Sequence, residues 1–396
     1  MIVEQLSLVD FRNYAVADVS LTAGANVFVG RNGQGKTNLA EAIAYLATLG
    51  SHRVSQDAPM VRDGMDAAIV RARLSHGDRR IVLELQINRS GSNKARVNGA
   101  AVRAVELPRY AQVVLFAPED LQIVRGDPSA RRRFADQLLI QRAPRMAGVL
   151  ADYDRVLKQR NALLKSARSR GVRGEGLSTL DVWDDKLVQL GTDVIRARLA
   201  IVAELSAPVA AAYTAIAGED HRPELQWSLT VDGVDGADDG DDLDTAGETG
   251  TDTRSVGGSA EDIAAAFRQA LAAKRPQELE RAITLVGPHR DDLVLRVRGL
   301  PVKGYASHGE SWSVALALRL ASARLLREQS QLGDPVLILD DVFAELDADR
   351  RARLAALVGD FEQVIVTAAV EEDVPAALRA RTVRVVAGTI QAVDDE

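Results

Sequence analysis

The chain has 396 residues and no cysteine, which excludes disulfides and thiolate metal sites, and its five histidines are too scattered to suggest zinc. That length allows two domains, or one large domain with an inserted lobe. A net charge of −7 argues at first against nucleic acid, but nine acids and no base lie between Asp232 and Asp252, so the remainder is slightly basic.

Met1 to Gln5 begin a strand-like alternation without the basic and apolar regions of a signal peptide. No apolar run approaches the length needed to span a bilayer, so a cytoplasmic protein with no membrane partner is expected. Ile2 to Leu8 read as a strand, Asp10 to Tyr14 as a turn, and Ala15 to Leu21 as a returning strand. Within that turn Arg12 is either a surface arginine or a guanidinium brought near a nucleotide; spacing alone leaves both open.

Val27-Phe28-Val29 is a short apolar run that feeds Gly30-Arg31-Asn32-Gly33-Gln34-Gly35-Lys36-Thr37. This is G-x-x-x-x-G-K-[ST], the phosphate-binding loop. Its glycines let backbone N–H groups ring a phosphate, Lys36 reaches the outer phosphates, and the Thr37 hydroxyl can ligate Mg²⁺. Leu39, Ile43, Leu46 and Leu49 follow at helical spacing, so the loop empties into a helix N-terminus.

Ile69–Leu74, Arg80–Ile87 and Ala95–Val97 read as antiparallel strands, with Asn98-Gly99 as a hairpin turn. Val113 to Phe116 is a short strand that stops at Ala117-Pro118-Glu119-Asp120. One of those acids could stand near a metal, or both could simply open a helix. From Ser129 to Lys165 the chain is helical and charged, starting with Arg131-Arg132-Arg133, which is either a solvated face or a contact for DNA phosphates. Gly171 to Gly176 is a loop, and Asp181 to Leu205 a second long helix with near-heptad apolar spacing. The two together predict a projecting helical hairpin. The acidic stretch at 232–258 is expected to be a disordered, solvated insertion, with a DNA mimic as the sharper alternative. Ala260 to Ala273 predict a further helix that closes the lobe.

The sheet is then expected to resume. Gly287-Pro288-His289-Arg290-Asp291-Asp292 is a polar loop before alternating Leu293, Leu295 and Val297. Ser307-His308-Gly309-Glu310-Ser311 leads into a helix from Trp312 to Arg327, and such a start attracts anions. Val336 to Leu339 form a buried strand ending in Asp340-Asp341. That is where a Walker B aspartate holds Mg²⁺, and Asp341 can orient or deprotonate an attacking water. Ala344-Glu345-Leu346-Asp347 precede a helix. Val364-Ile365-Val366 is another buried strand, ending in Thr367, whose hydroxyl could sense a γ-phosphate. Val383 to Val393 close as a hairpin.

Taken in this order, the motifs resemble ABC-type ATPase heads. Within that class they resemble the RecF family of bacterial recombination mediators, which is itself similar to SMC-type heads without the long coiled coils. The resemblance is carried by Phe11-Arg12-Asn13-Tyr14, Gly30 to Glu41, Ser51-His52-Arg53, Phe116 to Asp120, Gly287 to Asp292, and Asp340 to Asp347. It implies an α/β fold: an ABC-type P-loop ATPase head of mixed sheet and helices (1–125 and 280–396), with an inserted α-helical lobe (126–279). It further implies that two heads sandwich two ATP molecules with Mg²⁺. Lys36, Thr37 and Asp340 of one subunit would face Ser307 and Gly309 of the other, and Asn38, Arg12, Asp347 and Thr367 would complete the site. A slow, DNA-stimulated hydrolysis would then time an ATP-dependent homodimer on single-stranded or gapped DNA. The family helps load RecA with RecR and RecO, and so serves repair, replication and SOS induction.

This sequence departs from the pattern in three places. Glu310 stands where many relatives carry glutamine and brings negative charge toward a phosphate. Ala368-Ala369 lack the histidine usual in transporter ATPases, and Asp341 replaces their glutamate with a shorter reach. The alternatives are a nucleotide-binding subunit of a transporter, disfavoured by the missing histidine and the long helices, and a non-hydrolysing ATP-gated binding module.

Overall fold

The structure is a computed structural model that describes residues 1–170, 178–233, 259–330 and 332–391. The loop expected at 171–176, and all of the acidic stretch but Asp232 and Gly233, lie outside the described residues. In chain order the elements begin with β1 (Ile2–Phe11), β2 (Tyr14–Ser20), β3 (Gly24–Val29), α1 (Lys36–Thr48), β4 (Ala67–His76), β5 (Arg79–Asn88), β6 (Lys94–Val97), β7 (Ala100–Val102) and β8 (Val113–Phe116). There follow α2 (Leu121–Arg125), α3 (Pro128–Arg142), α4 (Met146–Arg170), α5 (Ser178–Ala217), β9 (Glu224–Ser228), α6 (Ala260–Arg281), β10 (Asp292–Val297), β11 (Leu300–Pro301) and a single kinked turn, α7 (Val302–Tyr305). The chain closes with α8 (His308–Gln329), β12 (Val336–Asp340), α9 (Ala348–Val358), β13 (Gln363–Ala368), β14 (Thr382–Val386) and β15 (Thr389–Gln391).

The chain divides into two compact units: Met1–Leu121 with Ala207–His221 and Ala306–Glu396, and Gln122–Ser206 with Arg222–Tyr305. In the first unit, one sheet runs β2-β1-β4-β5-β6-β7 with antiparallel pairing. Its strands alternate as a half-solvated sheet must: Ala68, Val70, Ala72 and Leu74 of β4 are buried while Arg71 and Arg73 are exposed. The β6–β7 turn at Asn98 and Gly99 has both residues at positive φ, 50° and 83°, as the twist of a tight hairpin requires.

A second sheet runs β15-β14-β3-β13-β12-β8, in which β14, β3, β13, β12 and β8 are parallel and β15 is an antiparallel edge. Every residue of β12 and β13 is buried. Such strands are covered on both faces, which explains why they read as unbroken apolar runs rather than as alternation. Helix α1 lays Leu39, Ile43 and Leu46 into the core shared by the two sheets, beside Phe28, Ile338 and Ile365.

The second unit is less purely helical than expected. Alternating Leu293 and Leu295 of β10 do not rejoin the head. They pair with β9 in register Leu293↔Trp227 and Leu295↔Leu225, making the sheet β11-β10-β9. Residues 280–305 therefore belong to this unit rather than to the head, and 207–221 belong to the first unit rather than to the lobe. The expected single helix from Ser129 to Lys165 is two, α3 and α4, because Pro144 lacks the N–H a helix needs and disfavours the helical conformation of the residue before it. The buried Arg160 ties the unit together, donating to Asp184 (2.6 Å), Thr284 (2.8 Å) and Glu278 (2.7 Å).

One sequence expectation fails on α5. Thr179–Ala217 is long and apolar enough, by length and composition, to cross a bilayer. Its Ile, Leu and Val side chains are spaced among alanines rather than set in one unbroken run. Ile201, Leu205, Val209, Ala212, Tyr213 and Ile216 of this helix are all buried in protein, so one face of it packs into a core.

Candidate functional site

The site is assembled by the parallel sheet. Strand β3 delivers the chain to Gly30, and the loop closes onto α1 at Gly35, whose φ is +120°. A Cβ there would lie 2.7 Å from the Tyr14 hydroxyl and 2.9 Å from Asn13 Nδ2, so only glycine fits. The loop is braced from outside. Asn13 Nδ2 donates to Gln34 O (3.0 Å), Gly388 N–H donates to the same carbonyl (3.0 Å), and the Gln34 side chain accepts from Ala387 N–H. Asn38 donates to Asn13 Oδ1 (2.7 Å) and accepts from Arg53 (2.8 Å). Arg31 is exposed, while Gly33, at φ +79°, turns the loop.

Lys36 is almost wholly buried, and its Nζ points back to Asn32 Oδ1 at 3.4 Å. Thr37 Oγ1 donates to Asp340 Oδ1 at 3.1 Å across more than 300 residues of sequence. Strand β12 sets Asp340 in register with Thr367 of β13, and Thr367 Oγ1 donates to the same carboxylate oxygen at 2.6 Å. That hydroxyl also accepts the Asp341 N–H at 2.9 Å, which holds Asp341 in a left-handed turn at φ 50°. Burial pushes Asp340 up to about 6, against the two threonine hydrogen bonds. Burial also raises Asp341, and the Lys36 cation opposes it. A hydroxyl and a carboxylate side by side beneath a phosphate loop form the hard oxygen pair that suits Mg²⁺. Among the described residues no cluster of three or more His, Asp or Glu could hold a metal by protein ligands alone.

Arg12 comes to the loop helix, but its guanidinium is committed. It forks onto Glu41, one helical turn past Thr37, at 2.8 and 2.6 Å, and donates to Pro59 O. Buried Glu41 also accepts from Ser51 and lies 3.7 Å from Arg53. His52 stands 3.9 Å from Asp340 Oδ2; burial holds it below its ordinary range, against the pull of Glu119 and Glu41. Glu41 and His52 were not singled out as site residues. The signal was there in Ser51-His52-Arg53, a polar triplet just past a helix end. Of the two acids after β8, Asp120 opens a helix, accepting from Ala117 N–H (3.1 Å) and Arg319 (2.6 Å), while exposed Glu119 projects its charge toward Asp340 and Asp341.

Ser307, Gly309 and Asp347 gather in a second cluster of the same unit. Ser307 caps α8, and Glu310 answers it: Ser307 Oγ accepts the Glu310 N–H (3.2 Å), and the Glu310 carboxylate accepts the Ser307 N–H (2.9 Å). The unusual acid is thus turned back onto its own helix start. Asp347 caps α9, accepting the Arg350 N–H (2.9 Å) and its guanidinium (2.8 Å). Among the described residues, no hydrogen bond or ion pair joins this cluster to Lys36, Thr37 or Asp340.

The three adjacent arginines separate. Arg131 is buried and forks onto Asp292 at 2.6 and 2.9 Å; Arg132 is buried and donates to Asp291 O at 2.9 Å; Arg133 is exposed. Two of the three pin α3 to the Gly287–Asp292 loop, and helical periodicity turns only the third outward.

Residues 2–391 match the RecF/RecN/SMC N-terminal domain family. The chain is 58% identical to the DNA replication and repair protein RecF of Leifsonia xyli subsp. xyli, covering 98% of this chain and 99% of that protein. It is 59% identical to RecF of Clavibacter sepedonicus, covering 98% and 95%. Among solved structures it is similar to the recombination mediator protein RecF-ATP of the RecFOR pathway, with TM-score 0.83, 25% identity, and 99% and 97% of the two chains covered. The Smc head domain of Pyrococcus furiosus, at TM-score 0.52 and 14% identity, shares the fold alone. The sheet order, the loop–helix–aspartate site and near-complete coverage at such identity agree: this chain belongs to the RecF family of DNA replication and repair proteins, on an ATPase-head fold.

Proposed function

We propose that the chain is an ATP-dependent DNA-binding protein of recombinational repair and replication, acting in the cytoplasm. The observation that carries the reading is the meeting of Thr37, Asp340 and Thr367 at the mouth of the phosphate loop. Lys36 and the loop N–H groups would take the phosphates, and Thr37 and Asp340 would hold Mg²⁺. Bound there, the metal would neutralise charge between the outer phosphates. Asp341 would orient an attacking water, and the hydrogen bond from its N–H to Thr367 Oγ1 supports that role.

In this reading the loop of one copy faces Ser307, Gly309 and Asp347 of a second, so ATP joins two heads. Affinity for nucleotide and for the partner copy are then linked. DNA, single-stranded or gapped, is held mainly through phosphates and therefore salt-sensitively, with Arg133 the one member of its triplet free to contribute. Hydrolysis is slow, stimulated by DNA, and releases the pair. RecR and RecO are the expected partners, with RecA loading and SOS induction downstream. The RecF-ATP likeness in the RecFOR pathway supports this.

Sedimentation with and without Mg·ATP tests the reading. The wild type should dimerise and Lys36→Ala should not; a wild type that stays monomeric at saturating Mg·ATP, with and without gapped DNA, overturns it.

A further inference from the structure

Ser51-His52-Arg53 follows α1 in a short turn whose side chains divide between two targets. Ser51 Oγ donates to Glu41 and accepts the N–H groups of Arg53 (3.0 Å) and Val54 (3.2 Å). Arg53 reaches back to Asn38 at 2.8 Å and stands 3.7 Å from Glu41. Both neighbours are thus tied to α1, which fixes the turn between them. His52 goes the other way, to the end of β12, where its Nε2 lies 3.9 Å from Asp340 Oδ2. That nitrogen is buried and has no hydrogen-bond partner among the described residues. A buried nitrogen without a partner costs stability that an apolar side chain of the same size would not.

The two oxygens of Asp340 are differently engaged. Oδ1 accepts from Thr37 (3.1 Å) and Thr367 (2.6 Å), while no hydrogen bond reaches Oδ2 among the described residues. A direct hydrogen bond does not span the 3.9 Å from His52 Nε2 to Oδ2. One water touching both groups does, with contacts of about 2.8 Å and an angle of roughly 90° at its oxygen. Mg²⁺ suits such an arrangement, because it takes few carboxylates and keeps several waters.

We propose that His52 is a positioning residue for the metal: through a shared water, its Nε2 orients Asp340 Oδ2 toward Mg²⁺. This rests on the Mg·ATP reading above and adds a residue to it. The two threonines claim one oxygen of the carboxylate and His52 steadies the other, so the group is held at both. Ser51 and Arg53 then serve by anchoring the turn that carries the imidazole.

Mn²⁺ binding to the protein–ATP complex, read as loss of the free-ion EPR signal, tests the assignment. His52→Phe should weaken Mn²⁺ at least about ten-fold, the usual effect of losing a group that orients a metal ligand. Affinity for a fluorescent ATP analogue in EDTA should stay that of wild type, since Lys36 and the loop are untouched. His52→Gln, whose amide reaches the place of Nε2, should recover most of the loss. In an Asp340→Asn background, His52→Phe should add less than about two-fold, because the carboxylate through which it acts is gone. If His52→Phe folds poorly, His52→Asn, whose amide falls short of Nε2, takes its place. Wild-type Mn²⁺ affinity in the variant overturns the assignment and leaves the Mg·ATP reading standing. So does an equal loss of analogue binding in EDTA, a glutamine that fares no better than phenylalanine, or an undiminished loss in the Asp340→Asn background. A wild type that binds no ATP, with or without metal, removes that reading and the assignment with it.

Discussion

Thr367→Val is the most informative change at the site, because valine keeps the shape and deletes only the hydroxyl. Two bonds are lost together. The donor to Asp340 Oδ1, at 2.6 Å, serves a charged acceptor, a kind of bond worth about 1.5–3 kcal/mol. The acceptor of Asp341 N–H, at 2.9 Å, holds a non-glycine residue in the left-handed region, and an orphaned N–H costs about 1–3 kcal/mol. Asp341 is only partly buried, so water can recover some of the second contribution. A net loss of about 2–4 kcal/mol is expected, or ~4–16 °C in the melting temperature of a unit this size. Thermal unfolding followed by the fluorescence of buried Trp312, in the same unit, reads the stability directly. Phosphate release should fall further than ATP binding, since Lys36 and the loop are untouched. Thr367→Ser keeps the hydroxyl and should stay within about 1 kcal/mol of wild type. If the valine variant melts with the wild type, the hydroxyl does not hold the two aspartates. If the serine variant falls as far as the valine variant, losing the hydroxyl alone does not account for the loss and the hydrogen-bond argument fails.

Arg160→Met should destabilise the second unit by about 3–5 kcal/mol, because it strands the wholly buried Glu278. Adding Glu278→Gln should recover a large part, and urea unfolding by Trp227 fluorescence reads the cycle; a single-variant loss below about 1 kcal/mol contradicts the network. His289 gives a pH test. Burial, with Arg290, Arg132 and Arg160 pushing the same way, lowers it to about 3. Only the unfolded chain then takes its proton as pH falls below about 6.5, so this group's stability is lost on acidification. Asp291 opposes it in wild type, being pushed up to about 6 by burial. His289→Gln should gain on wild type by about 1.4 kcal/mol for each pH unit between 6.5 and 4.5. Equal urea midpoint differences at pH 7 and pH 4.5 would refute the burial argument.

The parts of the site that were legible in the sequence are those whose chemistry is local. Gly30 to Thr37 must be contiguous to ring a phosphate, and Asp340 must end a fully buried strand, so both read directly from the chain. The Ser307–Glu310 capping pair is equally local, yet Glu310 reads as a charge turned toward a phosphate until the structure closes it on Ser307. What escaped depends on distant partners. Arg12 reads as a ligand-facing group until Glu41 and the Pro59 carbonyl are seen to take its donors. Arg131 and Arg132 read as a basic patch because nothing local reveals that Asp291 and Asp292 claim them. Strand β9 gave no warning, since a short edge strand has too few alternations to stand out. The apolar stripe of α5 was legible as near-heptad spacing from Asp181 to Leu205, but its continuation to Ala217 was not.

The way Glu310 folds onto Ser307 has a consequence for selectivity. Its carboxylate already fills the place an incoming oxyanion would seek at that N–H, so the chain carries its own competitor. A lone inorganic phosphate gains little by evicting a tethered rival whose effective concentration is high. A multiply charged ligand, delivered on a matching surface with many simultaneous contacts, can displace it. The acid that looked out of place thus closes this helix start to stray anions.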